Sequence, residues 1–183
     1  MANMTLARQE RLHRRGLRLE WFTVAWNILE AFVAIGAGLI AGSVALVGFG
    51  VDSGSEVIAA VALLWRLYQV GPRADAKARG AAEKRALYVV AATFLLLGVY
   101  IIYEAVGALI TREGPETSAV GIVLSILSML IMPALAYGKQ RTGREMRSRA
   151  LQADAVETWV CVPTCPWHCW LPSGCMLHLA GGG

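Results

Sequence analysis

Four side chains that could bind a metal ion lie in two pairs inside apolar stretches of the chain. Asp52 and Glu56 form the first pair, Glu157 and Cys161 form the second, and the members of each pair are four residues apart. At helical pitch such residues share one face and lie about 6 Å apart along the axis. Carboxylates within a membrane usually face a protein interior and mark an ion or proton path. Three carboxylates and a thiolate would suit a divalent transition ion, and zinc accepts oxygen and sulfur ligands readily.

The two pairs belong to an internal repeat. Residues 43–56 align with residues 148–161 at a constant offset of 105, and each copy begins with serine. The alignment places Asp52 on Glu157 and Glu56 on Cys161. If the two copies form antiparallel membrane helices, ligands about nine residues beyond each serine meet roughly 13 Å from either surface, near the bilayer midplane. Because antiparallel repeats around a midplane site are typical of secondary transporters, the repeat predicts one shared ion site.

Three further polar residues accompany the two pairs. Asn27 and Glu30 lie in the first apolar run, and we expect them to support the ligands by hydrogen bonds or to form a proton path. Asp154 precedes Glu157 by three residues and is expected either in the same supporting role or at the cytoplasmic mouth, where it would bond the start of its own helix. The structural alternatives stay open: the acids could make packing hydrogen bonds or reach the membrane interface, and Cys161 could be a small apolar side chain.

Helices of membrane-spanning length must position these residues. Four apolar runs reach the roughly 20 residues that a span requires: residues 21–42, 43–65, 87–110 and 118–137. A fifth run starts near residue 150 and is broken by Pro163 and Pro166. Of the 183 residues, 56% are hydrophobic and 16% are charged, which argues against an ordinary soluble enzyme. The expected fold class is an all-α polytopic transmembrane bundle with four complete spans and a truncated fifth.

Small residues recur along the first two spans. Gly38 and Gly42 are four residues apart, and so are Gly50 and Gly54. Because small residues at this spacing let helices approach closely in lipid, the first two spans are predicted to pack as a tight hairpin.

The basic residues orient the bundle. The chain carries 17 Lys and Arg residues and a net charge of +4. Sixteen of them lie before the first span, between the second and third spans, or after the fourth span in a cluster that begins with Lys139; Arg112 is the exception. Since Lys and Arg concentrate in cytoplasmic loops, the amino terminus is predicted to be cytoplasmic. The positive charge is therefore a topology signal, and we expect no nucleic-acid partner.

The two ligand pairs resemble motifs of the cation diffusion facilitator, or cation efflux, family of divalent-metal/proton antiporters. The family's second helix carries Asp-Ser-x-x-Asp, matched here by Asp52-Ser53-Gly54-Ser55-Glu56. Its fifth helix carries Ala-Asp-x-x-His-x-x-x-Asp, matched by residues 153–161. The resemblance implies a four-ligand transport site on Asp52, Glu56, Glu157 and Cys161. Three of these ligands depart from the family pattern, since Glu, Glu and Cys replace Asp, His and Asp.

The resemblance implies export of a divalent cation, zinc or another transition metal, in exchange for protons. It also implies a bilayer-embedded protein without enzyme activity or a cofactor, in a bacterial inner (plasma) membrane, with homodimers as the expected assembly. The chain would comprise a basic cytoplasmic segment at 1–19, a cation-transporter-like domain at 20–162 and an atypical tail at 163–183. It would be a short, divergent member without the family's cytoplasmic carboxy-terminal domain. The alternative is a non-transporting membrane protein that binds metal or partners through a degenerate or truncated site.

The tail after Cys161 departs from the rest of the chain. It combines prolines, Trp and Cys residues and a closing run of three glycines, a composition that predicts a poor helix. Shifting the reading frame by one nucleotide permits a continuous apolar sequence instead. We therefore hypothesise a frameshift near Cys161 that truncates the fifth span, and sequencing the coding DNA tests it.

Overall fold

The computed structural model describes residues 6–71, 74–111 and 119–170, without the side chains of residues 104, 105, 108, 109, 111 and 161–170. Five helices occupy this part of the chain: α1 (Leu6–Ala41), α2 (Val44–Gln69), α3 (Ala76–Thr111), α4 (Ala119–Met146) and α5 (Arg149–Trp170). No strand occurs in the described ranges. The predicted all-α fold class is therefore confirmed.

Four of the helices form a bundle. Each of α1, α2, α5 and α4 packs against the next in that order, and α4 packs back against α1. The remaining helix, α3, lies outside this ring against α2 and α5. Four helices, α1 to α4, are long and apolar enough to cross a membrane, whereas α5 is shorter, with 22 residues. The predicted bundle had four complete spans and a truncated fifth; the structure has four candidate spans and a shorter fifth helix.

The surface of the bundle is apolar and its interior contains polar groups. Ile40 and Phe32 are 91% and 77% exposed, while Asn27, Glu30 and Glu157 are buried. A water-soluble protein places these residue types the other way round. In lipid, exposed apolar side chains face a matching solvent, and buried polar groups gather around paths for ions or protons. The chain is therefore an integral membrane protein.

The helices extend beyond the apolar runs at one end of the bundle. That end comprises the start of α1, the connection between α2 and α3, and the turn between α4 and α5; we call it the basic end. There α1 begins at Leu6, and α4 continues to Met146. These extensions carry most of the Lys and Arg residues, so the basic end is the predicted cytoplasmic side.

Both copies of the repeat begin with a helix cap. The Ser43 hydroxyl accepts a hydrogen bond from the backbone N–H of Leu46 at 3.4 Å, at the start of α2. The Ser148 hydroxyl accepts the equivalent bond from Leu151 at 3.1 Å, at the start of α5. Each cap satisfies an N–H that has no partner within the helix. The aligned serines therefore perform the same task at opposite ends of the bundle.

The turns before these caps also repeat. Gly42 and Arg147 both adopt left-handed backbone conformations, with φ of 68° and 54°. The N–H of each following serine donates to a glycine carbonyl, Gly38 in one turn and Gly143 in the other, at 2.9 Å in both. All these equivalences keep the offset of 105, so the repeat extends backward into the ends of α1 and α4.

The repeat allows a matched stability test of the two caps. Ser43→Ala should lower the free energy of unfolding by about 1 kcal/mol, because it removes one capping bond. Ser148→Ala should cost more, since the Ser148 hydroxyl also donates to the Glu83 carboxylate at 3.0 Å. Unfolding in mixed micelles, followed by circular dichroism, measures both. Equal losses at the two positions would contradict the additional role of Ser148.

Glycines bring α1 and α2 into close contact. A Cβ atom added at Gly38 would lie 2.8 Å from Val47 Cγ2, and one at Gly50 would lie 2.5 Å from Ile35 Cγ1. Added Cβ atoms at Gly42 and Gly54 would meet nothing within 4 Å. The predicted tight hairpin is thus confirmed, but one glycine of each spaced pair makes the close approach.

Gly50→Ala should destabilise the hairpin by about 1–3 kcal/mol, the usual cost of overpacking. The new methyl group would also lie 3.1 Å from the Ile35 backbone nitrogen, and backbone atoms cannot move aside as a side chain can. Thermal unfolding in detergent measures the loss. Gly54→Ala, one turn further along α2 in open space, is the control and should leave stability unchanged or slightly raised. A similar response of both variants would contradict the close approach at Gly50.

The tail differs from its prediction. Helix α5 continues to Trp170, past Pro163 and Pro166, so the expectation of a poor helix directly after Cys161 is wrong for residues 163–170. A backbone in lipid must satisfy its polar groups internally, which favours helix even where prolines remove individual donors. Pro133 inside α4 is a second case. Residues 171–183 lie outside the described part of the chain.

Candidate ion-binding site

Helices α2 and α5, which contact each other, carry the predicted ligands. Glu56 and Glu157 are buried, and Asp52 is half-buried. The Glu157 carboxylate lies within electrostatic range of Asp52, Glu56 and Asp154. The structure thus brings the acids of both repeat copies within electrostatic range of Glu157, with Glu56 and Glu157 inside the bundle. Cys161 lies on α5 one turn beyond Glu157, but its side chain lies outside the described part.

Glu157 is the most unusual of these acids. Its residue is 2% exposed, and neither carboxylate oxygen has a hydrogen-bond partner in the described part of the chain. An ionised carboxylate buried without partners is strongly unfavourable, so such a group takes up a proton or binds a cation. The position therefore has the chemistry of an ion-binding or proton-binding site.

Glu56 is held by a neighbouring helix. The Asn27 side-chain amide donates to the Glu56 carboxylate at 3.2 Å and also to the backbone carbonyl of Thr23 at 3.0 Å. These bonds connect α1 to the ligand pair on α2. The sequence placed Asn27 near the ligands, and the structure brings it into direct contact with one of them.

Glu30 approaches the other member of the α2 pair. It is buried, and its carboxylate accepts a hydrogen bond from the Ser53 hydroxyl at 3.4 Å. Ser53 directly follows Asp52, and Glu30 lies within electrostatic range of Asp52. The structure therefore places Glu30 beside the site, and its part in a proton path stays a prediction.

Asp154 does not have one of the two roles expected for it. It does not bond the start of its own helix, because Ser148 and the Glu83 carboxylate accept the N–H groups of Leu151 and Ala150 there. Instead, Asp154 is buried and accepts a hydrogen bond from the Lys139 ammonium group at 2.5 Å. The positive charge of Lys139, which lies on the neighbouring helix α4, therefore neutralises the Asp154 carboxylate.

Lys139 and Glu20, which lie in the interior beside Asp154, were not predicted as interior residues from the sequence. Lys139 was grouped with the cytoplasmic charges, but it is 0% exposed, and its ammonium group also lies 3.5 Å from the Glu20 carboxylate. A usable signal existed: Lys139 and Asp154 lie eight residues before and seven residues after Arg147, the left-handed residue of the α4–α5 turn. Residues nearly equidistant from a tight turn between antiparallel helices face each other.

The described side chains do not form a closed metal shell. No three His, Cys, Asp or Glu side chains among them lie close enough together to hold a metal ion. Because the Cys161 side chain lies outside this set, the four-ligand site on Asp52, Glu56, Glu157 and Cys161 stays a prediction. The geometry establishes a buried acidic site between α1, α2 and α5, with one carboxylate lacking any hydrogen-bond partner in the described residues.

Comparison with known proteins identifies the family of the chain. The cation efflux transmembrane domain matches residues 21–161, which contain all four predicted ligands. Transmembrane protein 163 of Xenopus laevis is 27% identical over 147 residues, which cover 80% of this chain and 51% of that protein. The chain thus spans about half the length of this relative. No solved structure matches the chain significantly. Because the domain match covers most of the sequence and includes both ligand pairs, the chain belongs to the cation efflux family.

Proposed function

We propose that this chain carries a divalent transition-metal cation, zinc above all, across the membrane in exchange for protons. It would act as a carrier and not as an enzyme. Asp52, Glu56 and Glu157 would bind the ion, and Cys161 would complete the shell. Membership of the cation efflux family supports cation transport, and the unpartnered Glu157 carboxylate supports this position as the binding site. The cellular membrane, bacterial or otherwise, and a homodimeric assembly are further predictions.

The ligand chemistry favours zinc over a hard cation. Magnesium and calcium prefer six or more oxygen ligands, whereas zinc accepts four ligands of mixed oxygen and sulfur type. Proton coupling follows from the same residues. Clustered acids repel one another when ionised, so protons and metal ions compete for them. Metal binding would release protons, and protonation would release the metal ion.

Zinc flux in proteoliposomes tests this proposal. With purified chain and an entrapped zinc-sensitive dye, zinc should enter vesicles whose lumen is acidic, and an ionophore that collapses the pH gradient should stop this uptake. Asp52→Asn should abolish uptake, because it removes one ligand charge while keeping the side-chain shape. Asp75→Asn, an exposed position at the basic end, is the matched control and should transport normally. Unchanged uptake by Asp52→Asn would remove this residue from the site.

The same assay separates transport from binding alone. The non-transporting alternative is favoured by one observation, that no three His, Cys, Asp or Glu side chains of the described residues lie close enough together to hold a metal ion. It predicts zinc binding by equilibrium dialysis without any zinc flux. Flux that follows the pH gradient would reject this alternative.

A further inference from the structure

A buried ion cluster lies in the bundle interior beside the acidic site. The Lys139 ammonium group lies 2.5 Å from the Asp154 carboxylate and 3.5 Å from the Glu20 carboxylate. All three residues are at most 2% exposed. The cluster joins α1, α4 and α5, three of the four helices of the bundle.

The cluster lies between the acidic site and the basic end. Asp154 precedes Glu157 by three residues on α5, so it lies about 4.5 Å nearer to the basic end. Glu20 precedes Asn27, the partner of Glu56, by seven residues on α1 and lies about 10 Å nearer to that end. An ion that moves between the basic end and Glu157 must therefore pass the level of Lys139.

The ammonium group opposes such an ion in two ways. It repels an approaching cation directly, and it occupies carboxylate oxygens that would otherwise attract one. Its charge also reaches Glu56 and Glu157. Within the described interior, Lys139 is the fully buried cation among several carboxylates. The lysine ammonium group therefore occupies carboxylates that a transported cation would otherwise contact.

We propose that Lys139 closes the basic end of the ion path, and that it must leave Asp154 and Glu20 before a cation passes to Glu157. The proposal rests on the proposed transport function, because it assigns a gate to the same path. A purely structural ion cluster that only holds three helices together is the competing explanation.

Thiol accessibility tests the gate without zinc. Thr158 is 1% exposed and adjoins Glu157 on α5, so Thr158→Cys places a reporter beyond the cluster as seen from the basic end. The four native cysteines are first replaced by serine. A positively charged, membrane-impermeant methanethiosulfonate is then applied from the basic end to vesicles of defined orientation, and the modification rate of the reporter is measured.

With Lys139 in place, modification of the reporter should be slow. Lys139→Met should raise its rate about tenfold or more, which is the scale of electrostatic effects on cation entry. Lys139→Arg should keep the rate low, because the charge remains. Arg141→Met, which removes an exposed cation from the same helix, is the control and should also leave the rate low.

A slow rate in Lys139→Met would overturn the gate and leave a structural ion cluster. If this variant fails to reach the membrane, Lys139→Met combined with Asp154→Asn and Glu20→Gln removes all three charges together and carries the same expectation, since removal of the whole cluster leaves no unpaired buried charge. The readout involves no metal ion. Failure of zinc flux would therefore reject the proposed function, whereas a slow reporter would reject the gate alone.

Discussion

Glu157→Gln is expected to lower zinc flux in proteoliposomes by about 100-fold or more. Loss of a group that only supports a metal ligand already costs about 10–100-fold in affinity or activity, and Glu157 is proposed to bind the ion itself. Glutamine keeps the volume of the side chain but cannot carry the charge. The flux should fall at every metal concentration tested, because the ligand is absent and not merely weakened.

The stability of the Glu157→Gln variant should not fall together with its zinc flux. Both Glu157 oxygens are buried without hydrogen-bond partners in the described part of the chain, so glutamine removes an unfavourable ionisable group. The melting temperature in detergent should stay unchanged or rise. This combination distinguishes a functional carboxylate from a structural one, whose loss would lower both flux and stability.

Glu145→Gln is the matched control for this substitution. Glu145 lies at the basic end, where it pairs with Arg8 at 3.4 Å and Arg141 at 3.3 Å on the surface. Exposed ion pairs contribute little to stability, so this variant should transport zinc and melt like the parent. Full flux in Glu157→Gln would show that the unpartnered carboxylate is not part of the ion site.

Glu83→Leu is expected to cause the largest loss of stability, about 3–5 kcal/mol, as removal of one partner from a buried ion pair does. The Glu83 carboxylate lies 2.5 Å from the Arg66 guanidinium. It also accepts the backbone N–H of Ala150 at 2.7 Å and the Ser148 hydroxyl at 3.0 Å, at the start of α5. One side chain thus connects α2, α3 and α5.

The substitution would remove three interactions together. Arg66 is 9% exposed and would keep a buried charge without its partner, while α5 would lose an anion at its positive end. Unfolding in mixed micelles measures the loss. Combining Glu83→Leu with Arg66→Met should recover part of it, because the unpaired charge is then absent. A loss below about 1 kcal/mol, the scale of a surface pair, would contradict this role.

The sequence predicted the parts of the site that follow from periodicity. Asp52 and Glu157 are equivalent at the repeat offset, and the structure buries Glu157 and half-buries Asp52. The burial of Glu157 was predictable because a charged side chain in a lipid-crossing helix has few favourable positions other than the protein interior; its role as a ligand stays a prediction. Asn27 was located for the same reason, since an amide in an apolar run also seeks a buried partner.

The residues near the ends of the spans could not be assigned in this way. Lys139 lies two residues after the end of an apolar run, where a lysine can reach the aqueous interface or turn inward. Both outcomes give the same sequence pattern. The inward position depends on Asp154 across the α4–α5 turn and on Glu20 from α1, and one-dimensional spacing does not encode the second contact.

The sequence by itself determined the class of the protein, its spans, its repeat and the acids that line its interior. These properties arise from lipid as a solvent, which requires long apolar helices and penalises every charge within them. Only the tertiary structure decided which charges meet: Lys139 with Asp154 and Glu20, Arg66 with Glu83, and Glu157 with no hydrogen-bonding group among the described residues. Such contacts join helices that are distant in the chain, so they depend on how the helices pack and not on the pattern within any one of them.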